Sequence, residues 1–356
     1  MAKTLITGNK AIAQAAFDAG CDCYFSYPIT PQTAIGEYLG EIMPKAGRAY
    51  VCAESEIASI NMCIGAASTG ARAMTSSSSC AVALMQEGLS YAVGDCLPIV
   101  LISVMRAGPG LGYIYPSQCD YNQAVTGGGN GDYQIPVLAP STVQECIDLT
   151  HRAFYLAQKY RNPVIVLSDG LLGQMMEPAE FTEHPFPEID NSEWILSGAK
   201  GRPPRKIRSL EINEEKHNQN IRRIFDKYEQ MKREEVLFEE HNTEDADVIL
   251  VAFGTMGRNI KAAMTEGRKQ GLKIGIFRPI TLFPFPEKRL YELSEKTKKF
   301  IVAEMNMGQM VKDVKVSVNG RAEVIHIGRP AGEWLDETEI LEAVKNMTGE
   351  YHAAGV

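Results

Sequence analysis

Two short runs of apolar residues constrain the fold of this chain more than any other feature. One run is Pro98-Ile-Val-Leu-Ile-Ser-Val-Met105 and the other is Pro163-Val-Ile-Val-Leu-Ser168. Nearly continuous Val, Ile and Leu over this length predicts strands that are buried on both faces, because a strand with one face in water alternates apolar and polar residues. Helical patterns flank these runs, so the sequence predicts a doubly wound, parallel α/β domain.

Length and patterning predict three units along the chain. The 356 residues, of which 45% are apolar, are enough for about two domains. Residues 1–184 are expected to form the first α/β domain, and residues 245–350 a second, smaller α/β domain. Residues 185–244 are charged and proline-bearing, and are expected to form a linker. Apolar residues at helical spacing predict one amphipathic helix in this linker, and they are Ile221, Ile224, Phe225, Tyr228 and Met231.

Charge and apolar patterning argue against nucleic acid and membranes as partners. The 36 basic and 44 acidic residues give a net charge of −8, and no basic stripe is present that would neutralise a phosphate backbone. No run approaches the roughly 20 apolar residues of a membrane span, and the first residues lack the apolar core of a secretory signal. A cytoplasmic location is therefore expected.

The eight cysteines do not form a metal-binding pattern. They are scattered through the first 150 residues, and the closest pair, Cys21 and Cys23, stands alone. A zinc or iron–sulfur site needs about four clustered ligands. We therefore expect no metal ion or cluster bound by this chain alone, and thiols that pack as small apolar residues.

A stiff loop follows the strand-like residues 23–25. In Tyr27-Pro28-Ile29-Thr30-Pro31, two prolines restrict the backbone around Thr30 and present its hydroxyl at the carboxyl end of a strand. Ligands of parallel α/β sheets bind at that edge. Taken alone, the segment is equally typical of a rigid connector.

Three charged residues follow other predicted strands. Glu54 and Glu56 open a helix that continues to about Gly65, and by themselves they are typical of helix capping. Arg106 follows the strand ending at Met105 and precedes a glycine-rich segment, a position that suits bidentate binding of a carboxylate or phosphate. A surface ion pair is the alternative for Arg106. The glycine-rich segments match neither a P-loop nor a dinucleotide fingerprint.

Together and in this order, the motifs resemble the α subunit of 2-oxoacid:ferredoxin oxidoreductases. The motifs that carry the resemblance are Tyr27-Pro-Ile-Thr-Pro31, Ala53-Glu-Ser-Glu-Ile-Ala58, Arg106-Ala-Gly-Pro-Gly-Leu-Gly112, Leu167-Ser-Asp-Gly170, Phe253-Gly-Thr255, Phe277-Arg-Pro-Ile-Thr-Leu-Phe-Pro284 and Val302-Ala-Glu-Met-Asn-Met-Gly-Gln309. The resemblance covers nearly the whole chain. It is strongest to the branched-chain (3-methyl-2-oxobutanoate, or 2-ketoisovalerate) branch, through Met74-Thr-Ser-Ser-Ser-Ser79, Gly173-Gln-Met-Met-Glu-Pro178 and Gly198-Ala-Lys-Gly-Arg-Pro203.

This resemblance implies a fold, a reaction and roles for single residues. The first domain would be the pyrimidine-binding (PYR) domain of a thiamine diphosphate enzyme, and the second a transketolase C-terminal-like domain. The enzyme would oxidatively decarboxylate a 2-oxoacid with coenzyme A and pass electrons through [4Fe–4S] clusters to ferredoxin. Glu56, rather than Glu54, would hydrogen-bond N1′ of the cofactor's aminopyrimidine. Pro28 and Ile29 would contact the cofactor, and Thr30 and Arg106 would bind the substrate carboxylate.

The chain lacks other parts of such an enzyme. Thiamine enzymes hold the diphosphate through Mg²⁺ on a Gly-Asp-Gly segment with a later asparagine, whereas this chain has Ser168-Asp-Gly170 without that asparagine. The resemblance therefore implies a β subunit with the diphosphate–Mg²⁺ site and a cluster, and a small ferredoxin-like or γ subunit, and activity only in the complex. Two departures stand out. Ser77-Ser-Ser-Cys80 replaces a common Ser-Gly-Pro-Gly, which is expected to alter the pocket wall, and Asn130 replaces a common histidine, which removes support for an acid–base role there.

Several alternatives to a branched-chain enzyme stay open from the sequence. Aryl-pyruvates and pyruvate are among them, because one methylene in an apolar pocket discriminates by only ~1–3 kcal/mol. A 2-oxoglutarate enzyme would need another buried cation for the second carboxylate, and Arg72 is the obvious candidate in these loops. A non-catalytic scaffold subunit could keep the fold after losing the reaction. Thr30, Glu56 and Arg106 together argue against a scaffold, because a scaffold has no need of all three.

Overall fold

The structure is a computed structural model that describes residues 3–182, 186–330 and 332–349. The strands in these ranges are β1 (Thr4–Thr7), β2 (Cys23–Ser26), β3 (Ala49–Cys52), β4 (Ala73–Ser77), β5 (Ile99–Ala107), β6 (Tyr113–Pro116), β7 (Val137–Leu138), β8 (Val164–Asp169), β9 (Met176–Ala179), β10 (Phe238–His241), β11 (Val248–Val251), β12 (Ile274–Pro279), β13 (Thr281–Phe283), β14 (Lys299–Glu304) and β15 (Glu323–Gly328). The helices are α1 (Gly8–Asp18), α2 (Thr33–Ile42), α3 (Glu56–Ser68), α4 (Ser79–Leu84), α5 (Gln86–Gly94), α6 (Tyr121–Thr126), α7 (Val143–Tyr160), α8 (Gly170–Gln174), α9 (Glu214–Glu234), α10 (Met256–Lys269), α11 (Glu287–Lys296), α12 (Val311–Val318) and α13 (Glu337–Thr348).

The first sheet has the strand order β13-β7-β8-β5-β4-β2-β3, with β6 paired to β5. The strands from β7 to β3 are parallel, whereas β13 and β6 run antiparallel to their neighbours. Every residue of β5 and β8 is buried, which explains their nearly continuous apolar sequences. The predicted parallel α/β architecture is confirmed. The carboxyl ends of β2, β3, β4, β5 and β8 meet at one edge of this sheet.

The second sheet is smaller and has the order β10-β12-β11-β14-β15. Its strand pairs are parallel except for β10–β12. Helices α10 and α13 pack against each other, and their apolar residues form a core cluster with β11, β12 and β14. The predicted second, smaller α/β unit is confirmed.

Two strands lie across the limits expected from the sequence. β10 falls within the expected linker yet belongs to the second sheet, and β13 comes from the second unit yet pairs with β7 of the first sheet. The expected boundary between residues 184 and 185 lies outside the described residues, as does residue 350. The division into 1–184, 185–244 and 245–350 therefore stays a prediction.

Helix α9 is the amphipathic helix of the linker. Its buried residues are Ile224, Tyr228 and Met231, from the stripe seen in the sequence, whereas Phe225 is 41% exposed. The ring of Tyr228 packs edge-on against Phe283 at 6.2 Å, and its hydroxyl accepts the N–H of Gln134 at 3.0 Å. The helix is thus an ordinary packing element that lies against the first unit and β13.

Hydrogen bonds from one side chain join the carboxyl ends of the two sheets. The Gln118 amide donates to the Phe253 carbonyl at 2.8 Å, and its oxygen accepts the N–H of Met305 at 3.1 Å. Asn306 Nδ2 donates to the Gln118 carbonyl at 2.8 Å. Glu304 is fully buried and accepts backbone N–H groups at the start of α12, which holds the loop after β14 in place. This loop belongs to the motif at residues 302–309, and in the structure it connects the units.

Among the helices of the described residues, none has the length and apolar composition needed to cross a membrane.

Candidate functional site

The loop between β2 and α2 is held in place through its carbonyl groups. Asn9 Nδ2 donates to the Pro31 carbonyl at 2.8 Å, and Gln32 Nε2 donates to the Tyr27 carbonyl at 3.2 Å. Gln32 is itself buried and accepts the Ser76 hydroxyl at 2.6 Å. The side chains of the loop are left for other contacts, as the sequence suggested for a stiff turn.

Thr30 is the exposed polar residue that this loop presents. The Thr30 residue is exposed at the carboxyl edge of the first sheet, and its hydroxyl has no hydrogen-bond partner among the residues that the structure describes. Of the two residues expected to contact a cofactor, Pro28 is exposed and Ile29 is half-buried. The loop therefore offers the Thr30 hydroxyl and an apolar surface to a ligand.

Arg106 is buried at the end of β5, with 6% of its surface exposed. Nη1 donates to the Thr30 carbonyl at 2.9 Å, and Nη2 donates to the Leu111 carbonyl at 3.1 Å and lies 3.3 Å from Cys80 Sγ. Its Nε–H is buried without a partner in the described residues. No carboxylate of the described residues forms an ion pair with the guanidinium, so the surface ion pair considered for Arg106 is not what the structure shows. The charge is held at the site by neutral acceptors.

A buried pair behind Arg106 was not found from the sequence. Ser79 Oγ accepts the backbone N–H of Arg106 at 2.9 Å and forms a short hydrogen bond with Asp120. Burial raises the pKa of Asp120, against the lowering effect of the hydrogen bonds from Ser79 and Cys119 and of the Arg106 charge. This pair fixes the backbone from which Arg106 projects. Because Ser79 and Asp120 are 41 positions apart, the only local signal was the unusual serine run at 76–79.

Glu56 and Glu54 have opposite environments. Glu56 is the first residue of α3 and is only 6% exposed, whereas Glu54 is exposed. The cap of α3 is supplied by neither, because Ser55 Oγ accepts the Ala58 N–H at 3.2 Å. The Glu56 carboxylate makes no hydrogen bond or ion pair with any residue that the structure describes. Neither carboxylate oxygen is fully buried, so the Glu56 side chain packs into the protein while its unpartnered carboxylate stays open to a ligand from outside these residues.

The predicted site residues lie at the carboxyl ends of β2, β3 and β5, but they are not all in contact. The Ala53 N–H donates to the Ser26 carbonyl at 3.0 Å, which ties the end of β3 to the end of β2. Thr30 and Arg106 are in direct contact through a carbonyl. Glu56 contacts neither of them. The arrangement is an anion-binding group and a separate, unpartnered carboxylate at the same edge of the first sheet.

Asp169 has no free oxygen for a metal ion. Asp169 Oδ1 accepts the N–H groups of Leu171 and Leu172 at 3.0 and 3.1 Å, and Oδ2 accepts the Thr255 hydroxyl in a short hydrogen bond. Asp169 is thus the N-cap of α8 and a link between the units. Within residues 3–182, 186–330 and 332–349, no group of three or more potential metal ligands is found.

Arg72 and Asn130 lie away from the site. Arg72 directly precedes β4, so it lies at the amino edge of the sheet, opposite Thr30 and Arg106. Its guanidinium donates to the Ala19 carbonyl at 2.8 Å. Asn130 is exposed, and its carbonyl accepts the Ser90 hydroxyl at 2.7 Å. Neither residue is placed to act on a ligand bound by Arg106.

Large apolar side chains are exposed next to Arg106. They are Leu111 at 80%, Ile114 at 58%, Tyr113 at 55% and Tyr115 at 47%. The Tyr113 and Tyr115 rings stack on each other at 4.4 Å. We call residues 111–115 the apolar rim. An exposed cluster of this kind typically marks an interaction surface.

Family profiles match almost the whole chain. The profile described as "Pyruvate flavodoxin/ferredoxin oxidoreductase, thiamine diP-bdg" matches residues 14–243. The profile described as "Pyruvate:ferredoxin oxidoreductase core domain II" matches residues 246–340. The first match contains Thr30, Glu56 and Arg106.

Similar proteins are subunits of oxidoreductases. The chain is 44% identical over 350 residues to the ketoisovalerate oxidoreductase subunit VorB of Methanothermobacter marburgensis, covering 98% of this chain and 99% of the relative. It is 35% identical over 371 residues to the 2-oxoglutarate synthase subunit KorA of the same organism, covering 96% and 98%.

Solved structures share the fold. The described fold superposes with a TM-score of 0.85 and 28% identity on a 2-oxoglutarate:ferredoxin oxidoreductase from Magnetococcus marinus with 2-oxoglutarate, coenzyme A and succinyl-CoA bound. That match covers 97% of this chain but only 65% of the other. A split-gene transketolase, an inactive β4 tetramer, matches with a TM-score of 0.60 at 15% identity, and therefore shows the fold alone.

Proposed function

Because this chain belongs to the family of 2-oxoacid:ferredoxin oxidoreductase subunits, we propose that it is the subunit that brings Glu56, Thr30 and Arg106 to thiamine diphosphate and a branched-chain 2-oxoacid. The proposed substrate is 3-methyl-2-oxobutanoate, which is oxidatively decarboxylated to its acyl-CoA with electrons passed to ferredoxin. The family inferred from the sequence motifs is confirmed. The substrate, the electron acceptor and the residue roles are the proposed part.

The observation that carries the proposal is that Glu56 is largely buried, whereas its carboxylate has no partner in the described residues and stays open to a ligand. An aminopyrimidine nitrogen is a partner that suits it, because a carboxylate next to that nitrogen accepts or shares a proton with the ring. Pro28 and Ile29 on the neighbouring loop offer an apolar surface to the same ring. The residues present therefore fit the pyrimidine half of thiamine diphosphate. When bound, this cofactor supplies the nucleophilic carbon for decarboxylation of a 2-oxoacid.

Arg106 and Thr30 are proposed to hold the substrate carboxylate. No carboxylate of the described residues pairs with the guanidinium, because its present acceptors are two carbonyls and a thiol. The Thr30 hydroxyl is exposed beside it and has no partner in the described part of the chain. An anion that reaches this edge gains charge-assisted hydrogen bonds without displacing an existing ion pair.

The diphosphate is proposed to be held by another chain. The oxygens of Asp169 are used within the structure, and the sequence has no Gly-Asp-Gly segment. We therefore assign Mg²⁺ and the [4Fe–4S] clusters to a β subunit and a small ferredoxin-like or γ subunit. The exposed apolar rim beside Arg106 suits the β subunit as its partner surface, since covering it would also close the site from water.

The branched-chain substrate is favoured over 2-oxoglutarate by the charges at the site. A second carboxylate needs a second cation, and Arg72 lies at the opposite edge of the sheet. The higher identity to the ketoisovalerate subunit than to the 2-oxoglutarate subunit points the same way. 2-Oxoglutarate remains the second candidate, because the cation for its second carboxylate would then come from the partner chain that completes the pocket.

The test is turnover by the reconstituted complex. This chain would be co-expressed with the subunits encoded in neighbouring reading frames, and the purified complex assayed for coenzyme A-dependent viologen reduction with a panel of 2-oxoacids. We expect the highest kcat/KM for 3-methyl-2-oxobutanoate. A higher kcat/KM for 2-oxoglutarate would make 2-oxoglutarate the substrate in place of 3-methyl-2-oxobutanoate. A well-assembled complex that turns over no 2-oxoacid would instead identify this chain as a non-catalytic scaffold.

A further inference from the structure

The Cys80 thiol accepts from Arg106 Nη2, a donor that a bound carboxylate needs. A guanidinium has five N–H groups and two edges that bind a carboxylate with two parallel hydrogen bonds, and both edges include Nη2. In Arg106, Nη2 already donates to the Leu111 carbonyl at 3.1 Å and lies 3.3 Å from Cys80 Sγ. Two-point binding of a carboxylate therefore requires one of these acceptors to leave.

Sulfur is the acceptor that leaves more easily. A thiol sulfur accepts hydrogen bonds weakly, whereas a backbone carbonyl is a strong acceptor and its loss would move the loop. Cys80 is half-buried in α4 and its side chain rotates about a single bond to leave. Leu111 instead offers a main-chain carbonyl from the turn between β5 and β6, whose ends are joined by the pairing of Ala107 with Tyr113.

The second donor needed for two-point binding is the Arg106 Nε–H, which is unused in the structure. The Nε–H of Arg106 is buried and has no partner among the described residues, although such groups are nearly always satisfied in folded proteins. It belongs to the edge that Nε shares with Nη2. A carboxylate bound there would satisfy Nε–H and also accept from Nη2, for which the Cys80 thiol now competes.

We propose, on the basis of the function proposed above, that Cys80 is a positioning residue that holds the Arg106 guanidinium in the free enzyme and is displaced by the carboxylate of the 2-oxoacid. The thiol thereby sets substrate affinity through competition for Nη2. This role assigns a function to the departure at Ser77–Cys80 that the sequence left without one.

The first test is the KM and kcat of two variants in the reconstituted complex. Cys80→Ala removes the competing acceptor, so KM for 3-methyl-2-oxobutanoate should fall about 3-fold with kcat within about 2-fold of wild type. Cys80→Ser keeps an acceptor of similar size, so its KM should stay at or above the wild-type value. A role in packing alone would instead lower kcat or raise KM in Cys80→Ala, and that result would overturn the proposal.

The second test is alkylation of Cys80 by iodoacetamide, followed at peptide level by mass spectrometry. A displaced thiol changes its surroundings, so saturating 2-oxoacid should change the modification rate of Cys80 at least about 3-fold while the rate of the exposed Cys52 stays constant. Equal rates at Cys80 with and without 2-oxoacid, in a complex that turns the substrate over, would overturn this inference alone. A complex without any turnover would overturn the proposed function and this inference with it.

Discussion

The Thr255 hydroxyl donates a short hydrogen bond to Asp169 Oδ2 and joins the carboxyl ends of β11 and β8. Asp169 is 1% exposed and Thr255 is equally buried. The two residues come from the motifs at 167–170 and 253–255, and they are 86 positions apart in the sequence. The contact gives both motifs one role, which is to fix the second unit against the first behind the candidate site.

Replacement of Thr255 tests this link. Thr255→Val removes the hydroxyl hydrogen bond to the buried Asp169 carboxylate, which should lower the free energy of unfolding by about 1–3 kcal/mol and the Tm by about 2–6 °C. Thr255→Ser is the control, because it keeps the hydroxyl and should stay close to wild type. Burial raises the pKa of Asp169, opposed by the hydrogen bond from Thr255. The deficit of the valine variant should therefore shrink on acidification, as measured by calorimetry across pH.

The two glutamates at the start of α3 form a matched pair. Glu56→Gln should lower kcat of the reconstituted complex at least about 100-fold, because the buried carboxylate assists proton transfer at the cofactor ring. Glu54→Gln changes an exposed carboxylate two residues away and should keep at least half of the activity. Co-elution of the subunits would show that both variants assemble. Similar activity in the two variants would remove Glu56 from the mechanism.

Arg106 is expected to bind the substrate carboxylate through two hydrogen bonds from its planar guanidinium, and not only through its charge. Arg106→Lys keeps the charge but loses two-point binding, so kcat/KM for the 2-oxoacid should fall roughly 100-fold. Arg72→Lys, at the opposite edge of the sheet, serves as the control and should change kcat/KM less than about 2-fold. Steady-state kinetics of the complex measure both. Unchanged kinetics in Arg106→Lys would contradict carboxylate binding at this residue.

The apolar rim should be needed for assembly. Ile114→Glu places a charge among exposed apolar residues next to the site, and should abolish co-elution with the β subunit on size exclusion. Ile212→Glu is the control, since Ile212 is 86% exposed in the segment before α9. The isolated chain should remain folded in both variants, as judged by circular dichroism. Normal assembly of Ile114→Glu would show that the apolar rim is not the interface with the β subunit.

Glu239 is expected to contribute to stability in a pH-dependent way. Although burial raises its pKa, His241, Arg278 and Lys261 together lower the pKa of Glu239 to about 2. A lowered pKa stabilises the folded state above about pH 4.5, and this stabilisation is lost as the pH falls towards 2. Glu239→Gln should thus lower the Tm by about 2–4 °C at pH 7 and approach wild type in acid. Glu229→Gln, a change in an exposed ion pair, should lower the Tm little at either pH.

The fold class was predictable because its main signal is local. The strands around Val100 and Val166 are buried on both faces, and continuous apolar sequence reports this directly. The amphipathic stripe of α9 was visible for the same reason. The exchange of β13 between the units was not predictable, because Thr281 pairs with Leu138 over a long separation and strand pairing leaves no periodic signal.

The site was predictable in part. The sequence favoured Glu56 over Glu54, and the structure buries Glu56 and exposes Glu54. Their chemical roles stay predictions. The Ser79–Asp120 pair and the Cys80 contact with Arg106 were missed, because each depends on side chains from distant segments meeting in three dimensions.

The position of β13 has a consequence for how this protein can be divided. β13 covers the outer edge of β7, so a fragment that stops after α9 would leave that edge without its hydrogen-bonding partner. Unpaired edges recruit other chains. Truncation at residue 244 should therefore yield a self-associating fragment, and the two halves are expected to behave as one cooperative folding unit whose gene cannot be cut there without supplying the missing strand.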